Sequence, residues 1–295
     1  MHHPGPVDLD IIAREVELDV LAIMRRNRYW LDNDPVKTHF FNGIQTAFPE
    51  TELFFIDSVR DGVSFVGEDS LTAQERKNIR EFIKQEALHG REHRSVNSAL
   101  ISLGYDEIAK VNDRVKKGRI AARTKYSLLF RLGLTAAAEH ITAVLADYTL
   151  LRKPELINAC EIDLKELLIY HSIEEIEHKS IAFDLYMRCG GGYWGRFLTF
   201  WLAVADAALI TRYLHKYLLR SDGLWNARTR WRAFSFVWGS KGIAWAMLPK
   251  LLNYIRPGFH PWDTDEREVI NQQYRLSKLK KSETESSSPE LMNAS

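Results

Sequence analysis

The chain has 295 residues, 45% of them apolar, and its 40 Lys and Arg nearly balance its 39 Asp and Glu. This length is enough for one large domain or two small ones, and a net charge of +1 argues against a protein that mainly neutralises a nucleic-acid backbone. Its two cysteines, Cys160 and Cys189, form no CxxC motif, which disfavours a disulfide scaffold, a zinc ribbon and an iron–sulfur site.

The N-terminal residues show no apolar stretch after a basic start, so no secretory signal is expected and the protein is predicted to be cytoplasmic. Residues 1–34 are interpreted as an N-terminal extension. Residues 14–20 alternate in polarity like a short strand, and residues 63–66 are a second short extended candidate. Neither pattern repeats often enough to build a sheet.

Apolar residues recur at intervals of three and four through most of the chain, which predicts an all-α fold. We expect a ferritin-like four-helix bundle over residues 35–190, with an additional C-terminal helical layer. The four predicted helical segments are 35–60, bent at Pro49, then 72–103, 125–151 and 154–188.

The predicted C-terminal layer covers residues 191–262 and contains seven of the eight tryptophans. Trp231, Trp238 and Trp245 are seven apart, which predicts one shared helix face. The apolar run 197–210 is short for a membrane span and suits a buried core helix.

Core packing is therefore the favoured role of the layer. Arginines among the three tryptophans leave a peripheral membrane contact as the functional alternative. Residues 263–295 are interpreted as a tail, and disorder is predicted after residue 278, where the sequence is polar and Ser-rich.

Each of the four bundle segments interrupts its apolar stripe with a carboxylate. A buried carboxylate is costly unless it is protonated, paired with a base or bound to a metal. Two segments carry Glu-x-x-His, whose i, i+3 spacing puts both side chains on one helix face, and the other two carry a single Glu. This is the ligand pattern of a dinuclear carboxylate site in a four-helix bundle. The predicted ligands are Glu52, Glu86, His89, Glu139, Glu175 and His178.

Three further residues leave alternatives open. His93 and His171 lie in mirrored positions, one turn beyond the nearest Glu-x-x-His, where each can be an extra ligand or a satisfied, cavity-lining histidine. Glu174 can replace Glu175, because it precedes His178 by four residues; the parallel with Glu86 favours Glu175.

Charged neighbours give the remaining alternatives. Arg60 and Asp184 are candidates for orienting the ligands, although single charged residues more often form surface ion pairs. His140 points about 100° away from Glu139 on a helix, which disfavours a site role. A metal-free network of ion pairs needs Lys or Arg in the same stripes, and the second, third and fourth segments offer none.

Residues 48–60, residues 82–89 with His93 and Asn97, and residues 171–184 resemble a bacterial family described as predicted metal-dependent hydrolases. The resemblance extends over roughly residues 10 to 260, contains the ligand positions and implies a ferritin-like fold. Thr51 stands where the family pattern leads us to expect Gly, at a position outside the ligand set.

Four carboxylates with two to four imidazoles and no thiolate favour two iron ions, with manganese or zinc as alternatives. Since such sites in ferritin-like bundles resemble those that reduce O2, the leading hypothesis is an O2-dependent di-iron oxygenase or oxidase. It would act on an apolar small molecule or lipid-like substrate, with Glu86 and Glu175 as the bridging, catalytic carboxylates.

The alternative is a metal-dependent hydrolase that uses a metal-activated water. Ferritin-like metal storage is a third function, disfavoured because a storage subunit does not need the long Trp-rich layer. The sequence names neither an electron donor nor an oligomeric state.

Overall fold

The protein was analysed as a computed structural model that describes residues 11–268, 270, 271 and 273. The fold is all-α, as predicted, and no strand occurs among these residues. The chain divides into two units, residues 1–263 and 264–295, and the helices named here all belong to the first unit. Its helices are α1 (Val20–Arg26), α2 (Pro35–Gln45), α3 (Phe48–Val66), α4 (Ala73–Ser102), α5 (Glu107–Lys125), α6 (Leu128–Asp147), α7 (Pro154–Asn158), α8 (Ile162–Glu177), α9 (Ile181–Arg188), α10 (Tyr193–Ser221), α11 (Ala227–Trp238) and α12 (Ile243–Asn253).

Helix α4 follows the sequence prediction closely because both of its ends carry strong local signals. Thr72 caps its N-terminus, where the Thr72 hydroxyl accepts from the Glu75 amide and the Glu75 carboxylate accepts from the Thr72 amide. Beyond its C-terminus, Gly104 adopts a φ of +96°, a left-handed conformation that a residue with a side chain rarely takes.

Other predicted segments are broken or misassigned. Segment 35–60 is two helices, and Pro49 lies in the first turn of α3, where a missing N–H costs no hydrogen bond. Residues 63–66, predicted as extended, form the last turn of α3. Residues 14–19 have no regular structure, and α1 begins at Val20. Helix α5, which the prediction lacks, packs on α3 and α4.

Segment 154–188 is three helices rather than one. The break between α8 and α9 falls at residues 178–180, so His178 follows the last residue of α8 and its N–H donates to the Glu174 carbonyl. Helix α6 ends in a π-helical turn, Tyr148–Arg152, a feature that often occurs near functional sites.

Two apolar clusters border the polar part of the fold. On α4, Phe82 belongs to one cluster and Leu100 to the other, and the residues between them include the predicted ligands. On the segment from α8 to α9, Leu164 and Ala182 occupy the corresponding positions. The predicted ligands on these two segments therefore lie between the two apolar clusters and are buried.

The Trp-rich segment forms α10, α11 and α12, which pack on α2 and α6. Trp231 and Trp238 lie on α11 and Trp245 on α12, so the predicted single helix face is wrong. These side chains are 67%, 53% and 52% exposed, which contradicts core packing. The run 197–210 also exposes large apolar side chains, including Trp201 and Leu209, so the buried-helix prediction is wrong for much of it.

Two stretches, Leu128–Arg152 and Tyr193–Ser221, are long and apolar enough to cross a membrane. Length and composition alone are a weak argument for a span, because core helices of soluble proteins share both, and Leu128–Arg152 is mostly buried in the protein. A soluble protein is compatible with both helices. The proposed domain boundaries stay predictions, and the disorder predicted after residue 278 falls outside the described residues.

Candidate metal centre

Both Glu-x-x-His pairs meet at one point in the protein interior. Glu86 and His89 come from α4, Glu175 from α8 and His178 from just beyond it, and one potential ligand atom from each lies within 4.8 Å of the others. The His178 Nε2 atom is 3.1 Å from Glu86 Oε1, and His89 Nδ1 is 3.6 Å from the same oxygen and 3.5 Å from Glu175 Oε1. All four side chains are buried, so they form a group that could hold metal ions.

The two single glutamates flank this group. On α6, Glu139 Oε2 is 2.9 Å from His178 Nδ1, and on α3, Glu52 Oε1 is 3.2 Å from His93 Nε2. Both carboxylates are buried. The fold thus brings all six predicted ligands into one cluster, which we call the metal centre.

His93 and His171 lie at the edge of the metal centre. The Nδ1 atom of His93 is 3.3 Å from the Gln45 amide oxygen, which leaves Nε2 directed at Glu52. His171 Nε2 is 3.3 Å from Glu175 Oε1, and the His171 ring lies 4.0 Å from the His89 ring, centroid to centroid. Both histidines are therefore within reach of the predicted ligands.

Glu174 and Glu175 have different surroundings. Glu175 belongs to the convergent group, whereas Glu174 Oε2 is 2.9 Å from His89 Nε2, on the far side of that ring. The other oxygen of Glu174 accepts from the backbone N–H of Arg14 at 2.8 Å and from its guanidinium at 3.3 Å. Glu174 is thus placed to orient His89 rather than to join the centre.

Sequence reasoning missed the residues behind Glu174. The Arg14 guanidinium also binds Glu177 at 2.8 Å, and the Gln85 amide donates to Glu177 at 3.2 Å. Arg14 lies in the irregular N-terminal segment, where no periodicity relates it to α8. The run of acids from Glu174 to Glu177 was the only available signal, because so many carboxylates in one helical turn need a counter-charge.

The remaining candidates lie elsewhere. Arg60 is exposed on α3, and Asp184 Oδ1 is 2.9 Å from His260 Nε2. The His140 ring stacks on Tyr254, and its Nε2 donates to the Lys250 carbonyl at 3.1 Å. Burial lowers the pKa of His140 to about 4, so this ring is neutral near pH 7.

The electrostatics of the centre favour a bound cation. Burial raises the pKa of Glu139 to about 8. Attraction to His178 lowers this pKa, but repulsion from Glu86 offsets part of that lowering. Burial and the Glu86 charge also raise the pKa of Glu52 well above its ordinary value. In His178, burial lowers the pKa, but the Glu139 and Glu86 carboxylates outweigh it and raise the pKa overall. Without a bound cation, ionisation of Glu52 and Glu139 therefore carries a large desolvation penalty.

Buried polar atoms without a well-formed hydrogen bond are the strongest sign of a ligand site. Buried polar atoms normally have a hydrogen-bond partner. In the metal centre, His178 Nε2 lies 3.1 Å from Glu86 Oε1 and His93 Nε2 lies 3.2 Å from Glu52 Oε1, yet neither contact has the geometry of a hydrogen bond. Within the described part of the chain, six buried atoms of the metal centre and its edge make no hydrogen bond of normal geometry: Glu52 Oε2, Glu86 Oε1, His89 Nδ1, His93 Nε2, Glu139 Oε1 and His178 Nε2. Carboxylate oxygens and imidazole nitrogens are ordinary ligands of divalent metals, so the donor set fits metal ions.

A family model described as predicted metal-dependent hydrolase matches residues 12–265. The chain belongs to this family. The match covers the metal centre, the helices that carry it and the Trp-rich segment. Comparison with curated proteins returns no match, and neither does comparison with solved structures.

Membership in the metal-dependent hydrolase family corrects the predicted chemistry. An O2-dependent di-iron oxygenase or oxidase was the leading hypothesis, and this prediction is wrong, because the family is described as predicted metal-dependent hydrolase. The finding agrees with the alternative, hydrolysis by a metal-activated water. Family membership and the buried four-residue group together make an enzyme plausible, and that group could bind a dinuclear metal.

Proposed function

We propose that this protein is a metal-dependent hydrolase and that its metal centre holds two divalent cations. The observation that supports this most strongly is the convergence of two Glu-x-x-His pairs whose buried atoms include several without a well-formed hydrogen bond, in a chain of the predicted metal-dependent hydrolase family. In this proposal α3, α4, α6 and α8 form a ferritin-like bundle, and the ligands are Glu52, Glu86, His89, Glu139, Glu175 and His178.

Charge balance supports two cations rather than one. The four glutamates among the proposed ligands carry four negative charges when ionised, and neutral imidazoles add none. Two divalent cations cancel that charge, whereas one leaves two uncompensated negative charges in a buried site, which is strongly unfavourable. Glu86 lies within 3.6 Å of both His89 and His178, so its carboxylate would hold a cation together with these histidines. Glu175 lies within 3.5 Å of both His89 and His171 and would hold a cation on that side.

Bound divalent cations would supply Lewis acidity, polarising the scissile group and activating a water for attack. The chain contributes the geometry. Glu174 accepts a hydrogen bond from His89 Nε2, which places the His89 proton on that nitrogen and leaves Nδ1 as a lone-pair donor facing the centre. The Phe82 ring packs against His178 at 5.1 Å and shields this side of the centre from water.

The test is metal titration of chelator-treated full-length protein. Equilibrium dialysis against Mn²⁺, Zn²⁺ or anaerobic Fe²⁺ is expected to give two ions per chain, and metal addition is expected to restore hydrolysis of a panel of esters, amides and phosphoesters. Glu139→Ala is expected to lower the stoichiometry below two. Glu155→Ala is the matched control, because Glu155 is 64% exposed on α7.

Three outcomes contradict the proposal. Two ions bound to Glu139→Ala with unchanged affinity would refute the ligand assignment, and many more than two ions per chain would indicate storage. Metal loading that restores hydrolysis of no substrate in the panel would reject the reaction type.

A further inference from the structure

A cavity of about 150 Å³ adjoins the metal centre. His93, His171 and Glu175 line one end of the cavity, and Trp30, Cys160 and Leu164 are among the residues that line the rest. It lies between α2, α4, α6 and α8, and the π-helical turn after α6 contributes Thr149. The cavity thus leads from the proposed catalytic atoms into the body of the protein.

The wall of the cavity is apolar away from the metal centre. Its lining includes Leu31, Phe41, Val96, Leu145 and Leu168. Two of the three hydroxyls in the lining bind the protein itself: Thr142 donates to the Glu139 carbonyl at 3.1 Å and Thr149 to the Leu145 carbonyl at 3.0 Å. The third hydroxyl belongs to Ser172, next to His171 at the metal-centre end. A ligand in this part of the cavity therefore meets mainly hydrocarbon, which favours an apolar group by about 25 cal/mol per Å² of surface removed from water.

The cavity extends along much of α8. On α8 its lining runs from Leu164 to Glu175, and at 1.5 Å per residue this distance is about 16 Å. A cavity of about 150 Å³ is large enough for benzene when it is compact. Distributed over about 16 Å, the same volume suits an unbranched chain better than fused rings.

We propose that the cavity binds the alkyl or acyl chain of a linear substrate, with the hydrolysable carbonyl held beside His171. The cleavage step rests on the proposed function, whereas binding of the chain does not. In that step the oxygen of water bonds to the acyl carbon and the acyl C–O bond of an ester breaks. The leaving alkoxide takes one proton to become the alcohol, and the acid leaves as a carboxylate with release of the second proton.

The test measures binding of straight-chain carboxylates of increasing length to the full-length protein, with and without metal, by calorimetry. Affinity is expected to rise about fourfold per methylene and then to level off once the chain fills the cavity. Ala146→Leu adds bulk to a lining position on α6 and is expected to move that plateau to shorter chains. Leu164→Phe provides a second test at another lining position if Ala146→Leu does not fold.

Ala208→Leu, at an exposed position of α10, is the matched control and is expected to leave the series unchanged. An affinity that does not depend on chain length would overturn the cavity proposal. So would an affinity plateau that stays at the same chain length in both cavity variants. Chain-length-dependent binding without hydrolysis would overturn the proposed function alone. Metal-dependent hydrolysis with no dependence on chain length would overturn only the cavity proposal.

A second, independent observation concerns the outer face of the Trp-rich segment. Of the 18 large apolar side chains that are exposed within the described residues, 11 lie on α10, α11 and α12. On α10, Trp194, Leu198, Trp201 and Leu209 follow helical spacing, so they share the face opposite α2 and α6. These three helices therefore present an aromatic surface without a partner in the described part of the chain.

Helices α11 and α12 contribute to the same kind of surface. Trp231 and Trp238 are two turns apart on α11, and the Trp238 and Trp245 rings lie 6.1 Å apart at the turn into α12. The Trp245 indole N–H donates to the Trp238 carbonyl at 2.9 Å, which orients the exposed Trp245 ring. We call the exposed aromatic side chains of α10 to α12 the aromatic face.

Charge identifies the occupant of the aromatic face. Residues 192–258 contain ten Lys and Arg but two Asp and Glu. Of the ten, Arg232, Lys250 and Arg256 pair with acids outside this segment and Arg196 is buried, which leaves six basic side chains for the surface. Arg212, Lys216, Arg220, Arg228 and Arg230 are all exposed. Aromatic rings among basic side chains suit the headgroup region of an anionic bilayer, and two copies of so basic a surface repel each other.

We infer that the aromatic face docks on an anionic membrane surface. Helix α10 keeps one side on α2 and α6, so the contact is lateral rather than a span. The test is co-sedimentation with phosphatidylcholine vesicles with and without phosphatidylglycerol, together with tryptophan emission. Binding to the anionic vesicles is expected, with a blue shift, weakening as salt rises.

Trp231→Ser with Trp238→Ser is expected to weaken binding at least tenfold, and Arg228→Gln about fivefold. Ile162→Ser, at a 72% exposed apolar position on α8, is the control and is expected to bind like the wild type. Absence of binding to anionic vesicles at low salt would overturn the inference. Concentration-dependent self-association that the tryptophan variants abolish would assign the face to a second copy instead.

Discussion

Replacing Glu174 by Gln tests whether His89 binds metal through Nδ1. Glu174 Oε2 is 2.9 Å from His89 Nε2 and accepts its proton, while Glu174 Oε1 accepts from Arg14. In Glu174→Gln one of these oxygens becomes an N–H donor. If the amide nitrogen faces His89, the ring must carry its proton on Nδ1, the atom that faces the metal centre. If the nitrogen faces Arg14 instead, two donors oppose each other.

The expected loss follows from these contacts. Removing an outer partner of a metal-binding histidine typically lowers metal affinity 10- to 100-fold, which corresponds to about 1.4 to 2.7 kcal/mol. Glu174→Gln is expected to fall in that range and to keep two ions per chain at saturating metal. Glu175→Gln, which replaces a proposed metal ligand, is expected to lower the stoichiometry itself.

Metal affinity is measured by competition with a chromophoric chelator at pH 7, and stoichiometry by elemental analysis. Glu177→Gln is the matched control, because Glu177 shares the Arg14 guanidinium and does not contact His89 by any described hydrogen bond. It is expected to change metal affinity less than threefold. Equal losses in the two variants would show that the Arg14 cluster acts only on stability, and wild-type affinity in Glu174→Gln would refute the assignment of His89 Nδ1.

Three further predictions concern stability, each measured by denaturant unfolding of the variant beside the wild type. Burial lowers the pKa of His140 to about 4, so protonation of this ring is expected to reduce the free energy of unfolding by up to about 3 kcal/mol as the pH drops from about 6.5 to 4. His140→Phe is expected to remove this part of the pH dependence, and an unchanged pH slope in the variant would refute the assignment to His140. Burial raises the pKa of Asp222, at the C-terminus of α10, but hydrogen bonds from His39, Tyr105 and Tyr29 outweigh the effect of burial and lower this pKa to about 2. Asp222→Asn is therefore expected to cost about 2 kcal/mol above pH 4 and progressively less as the pH falls towards 2, whereas a pH-independent loss would contradict this cause. Gly118→Ala places a Cβ in open space on α5 and is expected to stabilise the fold by about 1 kcal/mol. Gly43→Ala on α2 places a Cβ 3.2 Å from the Thr211 carbonyl oxygen and is expected to destabilise the fold by about 1 to 3 kcal/mol. Stabilisation by both substitutions would show that the close approach at Gly43 is tolerated.

The sequence was sufficient to predict that Glu86, His89, Glu175 and His178 lie close together, because its signal is local. A carboxylate in an apolar stripe is visible without knowledge of the fold, and the i, i+3 spacing of Glu86 and His89 guarantees a shared helix face. The all-α class followed from the same periodicity. Thr72 and Gly104 marked the ends of α4 for equally local reasons.

What the sequence could not provide depends on contacts between distant segments. Arg14 contacts Glu174, which lies 160 residues later in the chain, and no pattern within either segment predicts that pair. The break that places His178 just beyond α8 carries neither Gly nor Pro at residues 178–180. The exposure of Trp231 was missed because apolar periodicity shows which residues share a face but not whether anything covers it.

The metal-free ion-pair network is the alternative that the contacts of Arg14 bear on most directly. This guanidinium binds Glu174 and Glu177, the two acids of α8 that point away from the metal centre. The acids that point inward meet imidazoles instead, and an imidazole can give up its proton and offer a nitrogen to a metal, which a guanidinium cannot. The chain thus places its arginine where a permanent counter-charge belongs and leaves lone pairs where a cation can bind, an arrangement that supports the proposed metal centre over a network of ion pairs.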